Sequence, residues 1–139
     1  LVFRESFAII SSTPILIIFG SILGSCLRFS ILSWFHEKLK SKNLGTLVVN
    51  ILATFAFVFL TTLNFNPENY INLSASMTIF GIAFLGSFST FSTFVLEIIE
   101  EFMQSNFSRA LSMICFSVVG GLLSAYLGYF FATLGIGTL

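Results

Sequence analysis

The sequence predicts an all-α membrane protein with four transmembrane helices, the third broken near its middle. Three observations carry that reading. Hydrophobic residues make up 56% of the 139-residue chain and charged residues only 9%, against about 25% charged in soluble proteins. The apolar residues fall into four runs, each near the roughly 20 residues that a helix needs to cross a bilayer, and mean hydropathy is +1.01. Inside the third run lies GSFSTFSTF (86–94), where Ser87, Ser89, Thr90, Ser92 and Thr93 all carry hydroxyls. A spanning segment must satisfy its backbone N–H and C=O groups internally, and irregular backbone survives only where it lines a cavity or is buried in protein. Hydroxyls supply substitute partners at such a break. The formal net charge of zero gives no reason to expect a nucleic-acid partner.

Residues 1–13 include Arg4 and Glu5 but no small-residue cleavage pattern, so the stretch reads as a surface segment and not a signal peptide. The first residue is Leu rather than Met, which leaves the native start open. The first span, 14–35, opens at Pro14, a residue suited to a helix start. Its GSILG (20–24) is a small-xxx-small pattern that lets a second helix backbone approach closely. Arg28 lies late in this span and would cost about 3 kcal/mol at a bilayer centre. It reads either as a snorkelling anchor or as a positive charge attracting an anion at a pore mouth. Trp34 and His36 mark the interface, with His36 solvated.

After a loop carrying Lys38, Lys40 and Lys42, the second span, 44–63, has no charge. Thr46, Asn50, Thr54 and Thr61, with Phe57, share one helix face. The Asn50 amide offers two N–H donors and an acceptor, so in hydrocarbon it must face another helix or water; one partner helix would suffice if it is only glue. Asn64 to Asn72, with Pro67, reads as a turn.

The third span, 73–97, contains the break. Phe88, Phe91 and Phe94 recur every third residue, so Phe91 and Phe94 share a face once the chain is helical again. Glu97, Glu100 and Glu101 read as a solvated helix end, followed by Ser105 and Asn106 as helix-start candidates. In the fourth span, 107–132, Ser117, Gly121, Ser124 and Gly128 form one small-residue stripe for close packing. The hydroxyls of Ser117 and Ser124 are also available to a permeant species. Cys26 and Cys115 sit alone in apolar segments and read as buried small hydrophobes.

Four spans put both termini on one side of the membrane. Arg4 stands on that side, against Lys38, Lys40, Lys42 and Arg109 on the other, so the positive-inside rule favours loops one and three in the cytoplasm. A four-helix bundle fills its own centre with side chains, so a conducting pathway implies an oligomer. The spans carry no metal-ligand cluster, positioned nucleophile, phosphate loop or carboxylate pair, and nothing argues for an enzyme.

Three segments, GSILGSCLRF (20–29), GTLVVN (45–50) and GSFSTFSTF (86–94), resemble the signature segments of the CrcB/Fluc fluoride channel family, in order and at family spacing. With four spans, the resemblance covers nearly the whole chain. It implies a fluoride-selective ion channel, multi-pass in a bacterial plasma or inner membrane, that exports fluoride from the cytoplasm to relieve its toxicity. It also implies an antiparallel, dual-topology dimer with two fluoride pathways, the partner being a second copy or a related subunit. On the same resemblance Asn50 is the pore-facing amide, Phe91 and Phe94 are the rings whose edges line the path, and Arg28 is the basic residue of the first segment. Thr90 and Thr93 are polar members of the break, and Ser117 matches a hydroxyl position in the fourth segment. Gly86 and Ser89 lend backbone carbonyls to a structural sodium ion at the dimer centre.

The assignment makes physical sense. A strongly hydrated anion needs replacement donors: amide N–H, hydroxyls and the positive rims of aromatic rings. A hard cation needs oxygens, which a broken helix exposes. The chain departs from the family pattern at Met113, where a Tyr is common, and at Gly121, where a hydroxyl is common. Two other classes stay open: a small proton-coupled multidrug-type exporter, and a non-transporting subunit of a membrane complex in which Asn50 and Phe91 only pack. The exporter needs a membrane-embedded acid; the first span has none, and Glu97 at a helix end is the nearest candidate.

Overall fold

The computed structural model describes residues 2–39, 42–65 and 75–137. They form α1 (Val2–Leu39), α2 (Lys42–Phe65), α3 (Ala75–Phe88), α4 (Phe91–Met103) and α5 (Phe107–Gly137), with no strand among the described residues. α3 and α4 are two halves of one span. Four stretches are therefore long and apolar enough to cross a membrane: Thr13–Lys38, Asn43–Leu63, Thr78–Met103 and Phe107–Leu134. The protein is a multi-pass membrane protein. Residues 66–74, where most of the turn after the second span was expected, and Lys40 in the first loop lie outside the described residues.

Two helix ends differ from the sequence reading. α1 does not open at Pro14 but runs through it from Val2. Residues 2–13 contain neither Gly nor Pro, so nothing local stops the helix, and the proline removes one N–H and crowds the preceding turn without ending it. The third span does not close at Glu97. α4 continues to Met103, and the stop is a turn in which Ser105 N–H donates to Phe102 O at 3.0 Å and Asn106 N–H to Glu101 O at 2.9 Å. This is the Schellman pattern, with Ser105 at φ 62° in the left-handed position that Gly usually fills.

α1 packs chiefly along α3, and α2 along α5, while α2 also touches α1, α3 and α4. Glycines set the first contact: a Cβ at Gly20 would lie 2.8 Å from Phe80 O, and one at Gly24 would overlap Phe84 O and Ser87 Oγ. In α5 the contact register is Gly120, Ser124 and Gly128, not the stripe through Ser117 and Gly121. A Cβ at Gly120 would meet Ile51 Cδ1 at 2.9 Å and one at Gly128 would meet Phe55 O at 2.7 Å, whereas Gly121 faces open space. Ser124 Oγ donates to Ile51 O at 2.6 Å, so its hydroxyl ties α5 to α2 instead of facing a path.

The core is small: Val49, Ala53 and Phe88, with Ile31 and Leu32 packed on it. Large apolar side chains such as Phe19, Phe29 and Leu122 face outward, an arrangement that suits lipid and would be untenable in water. Cys26 and Cys115 share that outer surface as free thiols, so neither is the buried small hydrophobe expected.

Candidate functional site: the broken third span

The break consists of Ser89 and Thr90, the two non-helical residues between α3 and α4. Ser89 N–H still donates to Leu85 O at 3.0 Å, closing the last helical bond of α3. The next bond would run from Thr90 N–H to Gly86 O, but Thr90 is extended at φ −145°, ψ 118°. Its N–H donates to Asn50 Oδ1 at 2.8 Å, and Asn50 Nδ2 donates to Thr90 O at 2.9 Å. The side-chain amide of α2 thus stands in for a peptide group and satisfies both polar groups of the residue that leaves the helix. Thr90 is only 5% exposed, so without Asn50 those groups would be buried without partners, at a cost of about 1–3 kcal/mol each.

Thr90 also begins the next helix. Its Oγ1 accepts from Thr93 N at 3.4 Å as the N-cap of α4, and it donates to Thr93 Oγ1 at 3.0 Å, so the threonine reads as a cap by chemistry and geometry. Arg28 is half-buried and its Nη1 donates to Ser89 O at 3.2 Å. The guanidinium turns into the break. Gly86 O, deprived of Thr90 N–H, has the Ser89 hydroxyl at 3.4 Å. Gly86 is exposed, with open space where a Cβ would stand, on a cavity of about 250 Å³ shared with Ala53, Thr54, Phe57 and Ser89.

The polar stripe of α2 divides into two halves. Thr46 and Asn50 reach across to the third span, while Thr54 and Thr61 donate to their own helix, at Asn50 O (2.8 Å) and Phe57 O (2.8 Å). Thr46 Oγ1 donates to Glu97 Oε1 at 2.5 Å, and both residues are buried. Glu97 is therefore no solvated helix end but an acid held inside the span. The signal for it was the i to i+4 pairing of Thr46 with Asn50, which puts two polar side chains against one helix. Thr93, Glu97 and His36 line a second cavity of about 290 Å³, with His36 itself exposed.

Phe91 is 78% exposed and Phe94 half-buried, with ring centroids 6.5 Å apart. They sit on neighbouring positions of α4, as the three-residue spacing requires. Phe94 opens on a third cavity of about 100 Å³ with Asn43, Ser112 and Met113. Ser117 is half-buried on α5 and does not join Asn50, Thr90 and Arg28 in their hydrogen-bonded cluster. Asn43, whose Nδ2 donates to Met113 Sδ at 3.3 Å, was missed by sequence reasoning. It follows the Lys-rich first loop in the sequence, where nothing singles it out.

Residues 15–129 match the family described as CrcB-like protein, Camphor Resistance (CrcB). The chain is similar to "Fluoride-specific ion channel FluC 1" of Parasynechococcus marenigrum, 34% identical over 110 residues that cover 79% of this chain and 85% of that protein. It is similar to "Fluoride-specific ion channel FluC" of Haemophilus ducreyi, 32% identical over 114 residues covering 82% and 86%. A further relative is "Fluoride-specific ion channel FluC 1" of Bacillus cereus, 35% identical over 118 residues covering 79% and 76%. The matched region takes in the glycine contact of α1, the Asn50 amide, the whole break and most of α5, and on that extent this chain belongs to the CrcB-like family.

Proposed function

We propose that the protein is a fluoride-selective ion channel that lets fluoride leave the cytoplasm and so relieves its toxicity. The observation that carries this reading is the break in the third span, held by Asn50 and followed directly by the Phe91 and Phe94 rings, in a chain whose relatives are named fluoride-specific channels. Asn50 spends one N–H and its oxygen on Thr90 and carries a second N–H for an anion. Phe91 and Phe94 offer ring rims, which attract an anion weakly enough for it to leave. Thr93 and Ser117 contribute hydroxyls, Thr90 spends its hydroxyl proton on Thr93 and so orients it, and Arg28 contributes a positive charge close to the break.

The working unit is an antiparallel dimer, with a second copy or a related subunit inserted in the opposite orientation. The exposed Phe91 face of a single chain supports a partner there, and the Lys and Arg bias sets the favoured orientation. Crosslinking that yields only parallel dimers would refute it. A structural sodium ion would be held by the backbone carbonyls of Gly86 and Ser89. Both are neutral oxygens and Gly86 O has lost its helical donor, whereas Ser89 O already accepts from the Arg28 guanidinium, whose charge counts against a cation at that oxygen. Such an ion would tie the two breaks together. Purification with a large organic cation in place of sodium is expected to cost activity or dimer stability, and undiminished activity would remove the ion from the account.

One observation favours the proton-coupled exporter as a second reading, namely the buried Glu97 within the third span. Fluoride efflux from liposomes holding only this protein separates the two. A channel passes fluoride down its own gradient with no pH difference and excludes chloride. Efflux that needs a proton gradient would favour proton coupling, and no fluoride efflux at all would remove the channel reading and leave the multidrug-type exporter and the non-transporting subunit.

A further inference from the structure

The cavity beside Phe94 is the smallest of the three and is lined by Asn43, Leu47, Phe94, Ser112, Met113 and Phe116. Its volume of about 100 Å³ has room for a species the size of a water molecule. No carboxylate lines it, so an anion meets no like charge there. The supply of donors is narrow. Ser112 Oγ donates to Arg109 O at 2.8 Å, which spends its proton within α5, and a thioether has none to give. Among the lining side chains the N–H groups of Asn43 are the donors that remain, and one of them rests on Met113 Sδ at 3.3 Å.

That bond is a poor use of an amide. Sulfur in a thioether is a weak acceptor, whereas hydrogen bonds to an ionised acceptor are about twice as strong as neutral ones. An anion entering the cavity therefore displaces the sulfur with little loss. Phe94 and Phe116 also line the cavity, and the rim of an aromatic ring carries weak positive potential.

We infer that Asn43 forms a second fluoride-binding position, next to Phe94, in which Met113 Sδ holds the amide in place until the ion arrives. This extends the channel reading and rests on it. Met113 is here a positioning residue and Asn43 the donor, so the two sides of one contact have different functions.

The test is fluoride efflux from liposomes, measured per folded protein as judged by size exclusion, for wild type, Asn43→Leu, Asn43→Asp and Met113→Leu. Asn43→Leu is expected to lower flux about tenfold, the equivalent of one hydrogen bond to a charge. Asn43→Asp should lower it further, through the carboxylate's repulsion of the anion. Met113→Leu keeps the volume and the donor but loses the sulfur that positions it, so flux should fall, by less than in Asn43→Leu. Wild-type flux in Asn43→Leu overturns the inference. So does an equal fall in Asn43→Leu and Met113→Leu with matching losses of stability, because a contact that merely packs is broken equally from either side. Wild-type protein that passes no fluoride removes the channel reading itself, an outcome that the variants alone cannot produce.

Discussion

Replacing Asn50 with Leu keeps the size of the side chain and removes the only groups that pair with the Thr90 backbone. Two hydrogen bonds of 2.8 and 2.9 Å are lost, each contributing about 1 kcal/mol net. Because Thr90 is 5% exposed, its N–H and C=O are left buried without partners, so each loss costs about 2 kcal/mol rather than that net figure. The sum is about 4 kcal/mol, which corresponds to a fall of about 10 °C or more in melting temperature for a chain of this size. Heating in detergent, followed by size exclusion to count the surviving folded protein, reads that shift directly. Thr54→Val is the matched control, since Thr54 bonds only the carbonyl of Asn50 within its own helix and should melt near wild type. If Asn50→Leu also melted within about 2 °C of wild type, the amide would not be holding the break. The flux measurement adds a second dimension. A residue that only lined the path would lose conduction at full stability, whereas the geometry here requires both to fall.

Three further outcomes follow from the packing. Gly24→Ala should destabilise by about 1–3 kcal/mol, because the new methyl overlaps Phe84 O and Ser87 Oγ, while Gly121→Ala, which meets open space, should be silent; equal melting temperatures would refute the α1 to α3 contact. Ser105→Gly should stabilise by about 1 kcal/mol by relieving the left-handed φ of 62°, and a lower melting temperature would show that the serine side chain contributes more than the strain costs. Phe91→Ile removes a ring that is 78% exposed and should leave the single-chain fold intact while fluoride flux falls. Phe94→Ile should lose flux as well, and near wild-type flux in both variants would take the rings out of the pathway.

What was legible in the sequence and what was not follows from the range of the interactions. Four spans, a break within 86–94 and the shared face of Phe91 and Phe94 rest on composition and on spacings of three and four residues, which a single helix already dictates. The Asn50 partner was not legible. The sequence states that the amide needs one, but Thr90 lies 40 residues away, and only tertiary packing brings the two together. Glu97 was misread for a related reason. Three glutamates near the end of an apolar run look like a solvated terminus, and the usual punctuation that would place the terminus later is missing. The Schellman turn at Gln104, Ser105 and Asn106 carries no glycine. Ser105 bears the left-handed strain in its place, so the helix runs two turns further than its composition suggests, and it carries Glu97 inward to face Thr46. A helix that continues past Glu97 keeps that residue in regular register from the Thr90 cap, on the side of Thr46. A variant that interrupts α4, such as Ile98→Pro, should expose Glu97 and release Thr46, and so lower the melting temperature; a melting temperature equal to wild type would show that the helix does not hold the pair.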